Sequence, residues 1–276
     1  MNHDRRGSGS PIVLIHGIGS HWQVWNPVLD RLAERHDVIA LDLPGFGGSE
    51  YDGVPGSVPH LADRVAAFLS ELDVRRPTIG GNSLGGGIAL ELARRGVARS
   101  VVAFSPVGFF GSAGAAWCRT VVNAARAGGG TLSPALPRIF ATRPGRIALG
   151  GVFYGRPSSL DPEDCLAGAR ALVAAPGFVE ARRRLGEWRL TSPTLRTAFA
   201  GASPMPEVPV TIAWGDRDLV LPYWQARRAR RILPDARHVR LHGCGHLPFA
   251  DDPVTCARLL SEAAGQEFRE AARDTG

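Results

Sequence analysis

Gly81-Asn82-Ser83-Leu84-Gly85 is the stretch on which the reading of this chain turns. A β-type run, Arg76-Pro77-Thr78-Ile79-Gly80, precedes it, and a helical run, Gly86 to Arg95, follows. A G-x-S-x-G between a strand and a helix puts the serine on a sharp, strained turn. Small residues are needed at its flanks because side chains there would collide with the neighbouring strand and helix. The turn exposes the Ser83 hydroxyl at the N-terminus of the next helix, where the dipole favours developing negative charge. The N–H of Leu84 then points to where an oxyanion would form. The pentapeptide predicts serine chemistry, provided the chain also supplies a base and an acid.

On either side of this turn, short apolar runs alternate with helical patterns. Pro11 to Ile15, His36 to Leu41, the run before Ser83, Ser100 to Phe104, Val208 to Trp214 and Arg237 to Leu241 read as six strands. Trp22 to Glu34 carries Trp25, Val28, Leu29 and Leu32 at helical spacing, and Ser57 to Leu72 repeats the pattern. The alternation predicts an α/β fold with a mostly parallel, doubly wound sheet. Only ten polar residues precede Pro11, too few for a hairpin of two strands, so the sheet is expected to begin near Ile12. From Val107 to Ser203 the alternation breaks. That segment holds helical patterns and a hinge-like Gly128-Gly129-Gly130. It is expected to form a helical cap, 107–203, over a core made of 1–106 and 204–276.

The chain has 276 residues and 29.4 kDa, enough for one α/β domain with an insertion. No run approaches the ~18 apolar residues of a membrane span, and the apolar run after the polar start is too short for a signal peptide. A cytoplasmic protein with no membrane partner is the expectation. Cys118, Cys165, Cys244 and Cys256 show no metal or redox spacing and read as buried thiols. The pI near 9.9 comes from 32 arginines and no lysine. Without interleaved aromatics or a recognised module, this does not predict nucleic-acid binding. Twelve arginines face five acids between Gly111 and Ala200, which leaves open a solvated helical face or attraction of an anionic small-molecule substrate.

Four further motifs accompany the serine turn: His16-Gly17-Ile18-Gly19, Asp42-Leu43-Pro44-Gly45-Phe46-Gly47-Gly48-Ser49, Trp214-Gly215-Asp216-Arg217-Asp218 with Pro222 beyond it, and Gly243-Cys244-Gly245-His246-Leu247-Pro248-Phe249. Together they resemble the α/β-hydrolase superfamily over the whole chain outside the insertion, in the order Ser, Asp, His that this fold uses. The resemblance implies a triad of Ser83, Asp218 and His246, and an oxyanion hole from the backbone N–H groups of Ile18 and Leu84. Asp216 competes with Asp218, and His242 with His246. The family pattern favours Asp218 and His246. His16 is expected to bond backbone around the oxyanion turn, and Trp22 and Phe249 are candidate pocket walls.

A serine at position 83 argues against the aspartate-dependent haloalkane and epoxide chemistries of the superfamily. The expected activity is hydrolysis of a carboxylic ester through an acyl-enzyme. Hydrolysis of the C–C bond of a vinylogous diketone is the alternative, although Leu247 departs from the tryptophan common after the histidine in those enzymes. A third reading is a binding protein without catalysis. No cofactor is expected and no metal site is read from the histidines.

Overall fold

The structure is a computed structural model and describes residues 1–53, 55–190 and 208–271. Seven strands, β1 (His3–Arg6), β2 (Ser10–Ile15), β3 (His36–Leu41), β4 (Thr78–Asn82), β5 (Ser100–Phe104), β6 (Val210–Gly215) and β7 (Arg237–Leu241), form one sheet in the order β1-β3-β2-β4-β5-β6-β7. Strands β2 to β7 run parallel, and β1 is antiparallel to β3.

Alternation along the central strands divides their side chains between two cores. Val13, Ile15, Ile39, Leu41, Ile79, Val101, Ala103 and Ile212 share one face with residues of α2 (Val58–Glu71) and α3 (Leu84–Arg94). Ile12, Leu14, Val38, Ala40, Val102, Phe104 and Ala213 share the other with α1 (Asn26–Ala33) and the C-terminal helix Pro253–Ala271. Each fully buried Val, Leu or Ile contributes roughly 1.5–3 kcal/mol. A one-residue slip of any central strand would exchange its two apolar sets, so the register is strongly fixed.

The expectation that the sheet begins near Ile12 with six parallel strands is corrected. The six are present, but His3–Arg6 adds a seventh on the outer edge of β3. No hairpin is needed, because β1 pairs with β3 and the Gly7-Ser8-Gly9 turn carries the chain past the start of β3 into β2. Its pairing is supported by charge, with Arg5 donating to both oxygens of Asp37 at 2.9 and 2.7 Å.

Between β5 and β6 the described chain is helical: α4 (Ser112–Thr131), α5 (Leu136–Ala141), a turn of π-type helix at Arg146–Gly150, α6 (Pro162–Ala174) and α7 (Phe178–Arg184). The expected cap residues 191–203 lie outside the described residues. Gly128-Gly129-Gly130 is not a hinge but the last turns of α4. A Cβ on Gly129 would sit 3.1 Å from Val173 of α6, so the missing side chain lets these two helices approach. After β6 come α8 (Ala226–Ile232), α9 (Pro248–Asp251) and the C-terminal helix, α10. All four cysteines are buried free thiols.

Strand order reverses at β2, where Ile15 is in register with Gly81 of β4. The turns leaving these two strands, His16-Gly17 and Asn82-Ser83, are therefore neighbours at the carboxyl end of the sheet, where open α/β sheets hold their ligands.

Candidate active site

Ser83 sits at φ 54°, ψ −113° between β4 and α3, the strained geometry expected of the turn. A Cβ on Gly85 would lie 2.2 Å from the Ile15 carbonyl oxygen, so α3 reaches the sheet only because that side chain is absent. Leu84 opens α3, where its N–H belongs to the helix-end donors without an intrahelical acceptor. Ile18 lines the same cavity as Ser83 and His246.

The structure separates the two ambiguous pairs. His246 Nδ1 lies 2.8 Å from Asp218 Oδ2, and both side chains are buried. Asp218 Oδ1 accepts the N–H groups of Val220 at 2.9 Å and Leu221 at 2.8 Å. Asp216 instead accepts from Gly243 N–H at 2.8 Å and from Arg240 at 3.1 Å, with His242 Nδ1 at 3.3 Å. Its carboxyl is held below the usual range: burial pushes it up, and is outweighed by Gly243 and Arg240. His242 and Asp216 thus form a surface brace, apart from the buried pair.

His16 is fully buried and bonds backbone on both sides. Nδ1 contacts Gly17 O at 2.7 Å, and Leu43 N–H donates to Nε2 at 3.0 Å. The second bond requires an unprotonated Nε2, so the proton is on Nδ1. Burial lowers its pKa to about 4, which agrees with a neutral ring. Asp42 closes the neighbouring loop by accepting from Trp22 N–H at 2.6 Å, Gly48 N–H at 2.8 Å and Asn2 Nδ2 at 2.7 Å.

Two supporting residues carried no sequence signal. Asn82 Nδ2 donates to the carbonyls of Phe104 at 3.2 Å and His246 at 3.0 Å, tying the histidine loop to the serine turn. Asp251, buried in α9, accepts three backbone N–H groups: Gly155 at 2.8 Å, Arg156 at 2.8 Å and Gly245 at 2.9 Å. It fastens the histidine loop to the segment that enters from the inserted helices. A Cβ on Gly245 would lie 2.5 Å from Phe153 O, so this contact also needs glycine.

Ser83 and His246 open into a cavity of about 780 Å³ whose far walls come from the inserted helices, among them Val121, Leu136, Phe140, Phe153 and Leu172. Phe249 borders it from within an aromatic cluster, 3.9 Å from Trp25 and 5.1 Å from Phe104 between ring centroids. Trp22 is not among the lining residues and packs against the α1 side of the core.

Among the described residues, the arginines of the insertion do not line this cavity. Its lining among the described residues contains Asp161 and Asp164 but no arginine. Several arginines instead cap carbonyls where helices end: Arg126 donates to Ala175 O at 2.8 Å, Arg119 to Leu185 O at 2.9 Å and Arg146 to Phe140 O at 2.7 Å. Arg184 is held by Glu180 and Glu187. An anionic chain would find no arginine counter-charge there among the described residues.

Comparison with known proteins points the same way as the motifs. Residues 12–259 match the family model described as the alpha/beta hydrolase family. An uncharacterized protein of Mycobacterium tuberculosis is 35% identical over 284 residues, spanning 96% of this chain and 80% of its own. Among solved structures, a bacterial membrane phospholipase A described as a virulence factor aligns with a TM-score of 0.70 at 26% identity, over 95% of this chain and 81% of its own. The enol-lactonase of Burkholderia xenovorans LB400 aligns with a TM-score of 0.72 at 20% identity, over 95% of both chains.

Proposed function

Because the chain belongs to the alpha/beta hydrolase family, we propose that it hydrolyses a carboxylic ester through an acyl-enzyme formed on Ser83. The observation that carries this reading is the buried 2.8 Å contact of His246 with Asp218, on a histidine that opens into the same cavity as the strained Ser83. With Nδ1–H directed at Asp218, Nε2 is the ring nitrogen left to take the Ser83 proton as Oγ attacks the ester carbonyl. The N–H groups of Ile18 and Leu84 receive the oxyanion; losing one such donor typically costs on the order of 10²–10³ in rate. Collapse of the tetrahedral intermediate expels the alcohol, which takes the proton from His246. Water then repeats the sequence and frees the acid. Residues 107–203 serve as the cap, and 1–106 with 204–276 as the core. The apolar walls favour an uncharged acyl chain over the anionic one that the arginine count suggested.

A fluorophosphonate tests the nucleophile directly, because only an activated serine is labelled. The wild-type protein should be labelled and Ser83→Ala should not. Turnover of p-nitrophenyl esters of graded chain length should fall on the order of 10⁴–10⁶ in kcat for Ser83→Ala. Activity within tenfold of wild type would overturn the assignment. A vinylogous diketone cleaved faster than every ester would transfer the same serine to C–C hydrolysis, and absence of labelling would favour the binding-only reading.

A further inference from the structure

Three large apolar side chains stand half exposed beside the acid turn: Trp117 at 51%, Leu219 at 53% and Trp224 at 58%. They form one patch. Trp117 Nε1 donates to Leu219 O at 2.9 Å, which lays the indole against the turn that carries Asp218. Gly114, three residues before Trp117 on α4, faces the edge of the Trp224 ring: a Cβ there would be 3.8 Å from it. Trp224 lies in the 3₁₀ turn Tyr223–Gln225 that runs directly into α8. Arg227, Arg228 and Arg231 follow Trp224 at the spacings that keep side chains on one helical side, and Arg230 lies beside them.

Among the described residues, no carboxylate pairs with these four arginines. The acids nearby are already engaged, Asp216 with Arg240 and Asp218 with His246. Arg240 itself lies over the Tyr223 ring, 5.2 Å from its centroid. Asp235 follows beyond the far end of α8. The face therefore combines two indoles and an aliphatic side chain with a basic stripe that no described carboxylate pairs with.

We propose that this face docks the protein on an anionic lipid bilayer. Indoles settle at the membrane–water interface, and basic residues beside them are drawn to anionic headgroups. The Trp117 N–H is satisfied within the protein, so its exposed ring offers apolar surface without a polar group to be matched. The same helix turns Val121, Val122 and Ala125 into the cavity, which brings an apolar site close to the apolar phase. This is association with a surface. It revises the expectation of no membrane partner, which rested on the lack of spans, and no helix among the described residues is long and apolar enough to cross a membrane.

The test is co-sedimentation with phosphatidylcholine vesicles, with and without a minority of phosphatidylglycerol, at low and high salt. Wild type and Ser83→Ala should both bind the anionic vesicles, so that docking is judged apart from hydrolysis. Added salt should weaken the binding. Each basic residue near such a surface is worth about fivefold in partition, so Arg227→Glu with Arg231→Glu should lower it on the order of 20-fold or more. Trp224→Ala should lower it at both salt concentrations. Equal binding to neutral and anionic vesicles, binding to neither, or undiminished binding by the arginine variant would overturn the proposal. So would a dimer in sedimentation velocity that Trp224→Ala dissolves, which assigns the face to a second copy, or tighter binding to single-stranded DNA than to vesicles. Should the tryptophan variant fail to fold by circular dichroism, the exposed arginine pair decides the question.

Discussion

At Asp218 the two carboxylate oxygens do different work, and this makes the acid assignment testable. Oδ1 takes two backbone N–H groups while Oδ2 faces His246 Nδ1. In Asp218→Asn the amide oxygen must stay with the two backbone donors, so the amide NH₂ turns toward the imidazole. Nδ1 then has to accept, the ring proton moves to Nε2, and Nε2 can no longer take a proton from Ser83. Ester turnover should fall roughly 10²–10⁴ in kcat, with little change in thermal midpoint. Asp216→Asn, which keeps an oxygen for Gly243 N–H and loses surface contacts to Arg240 and His242, should change kcat by less than about tenfold. The reverse order in paired kinetic assays would move the acid to Asp216. Phe249 both borders the cavity and belongs to the core. Its close packing against Trp25 makes Phe249→Ala a core deletion costing roughly 3–5 kcal/mol, readable in urea unfolding.

Between elements, the contact that decides most is the one between the histidine loop and the segment entering from the insertion. Asp251 holds Gly155, Arg156 and Gly245 together through three backbone N–H groups. Asp251→Ala leaves those donors without their acceptor, at about 1–3 kcal/mol for the buried Gly245 N–H and less where water reaches Gly155 and Arg156. It should lower the urea midpoint and loosen His246, reducing kcat more than KM. A variant with wild-type stability and kcat would show that the contact does not position the loop. The motifs around Ser83, Asp218 and His246 were legible because each sits in a local strand–turn pattern that sterics impose: Gly85 must be small where α3 meets β2. Asp251 was not legible, since its partners lie 96, 95 and 6 residues away and nothing local marks the carboxylate. The β1 strand was hidden for another reason. An edge strand with charged side chains shows no apolar alternation, and His3–Arg6 is held by pairing with β3 and by Asp37. The glycine run of α4 misled because Gly lowers helix propensity, while packing against Val173 favours it there.

For the molecule as a whole, the fully buried imidazole of His16 leads the response of stability to acid. His16 bonds the backbone of Gly17 and Leu43 with its pKa depressed to about 4 by burial, against about 6.5 in an unfolded chain. Between those values the unfolded chain binds a proton that the folded chain refuses, so stability must fall as pH drops from about 6.5 toward 4. Above pH 6.5 the ring is neutral in both states and the effect vanishes. Burial lowers His36 and His238 as well, and their contributions have the same sign. The carboxylates of Asp216, Glu91 and Glu262, all depressed by their partners, extend the loss to lower pH as they protonate. Taking 1.36 kcal/mol per unit, His16 alone is worth on the order of 3 kcal/mol across the window. That is a large share of the ~5–15 kcal/mol that holds a typical domain folded. Urea unfolding followed from pH 8 to pH 4 should therefore show a plateau above about 7 and a decline below 6.5. His16→Gln removes the titrating group, so its decline between 6.5 and 4 should be shallower, even if the variant starts lower for want of one hydrogen bond. Parallel curves for the two proteins would mean that His16 keeps an ordinary pKa in the folded chain, and the argument that burial holds its ring neutral below pH 6.5 would have to be abandoned.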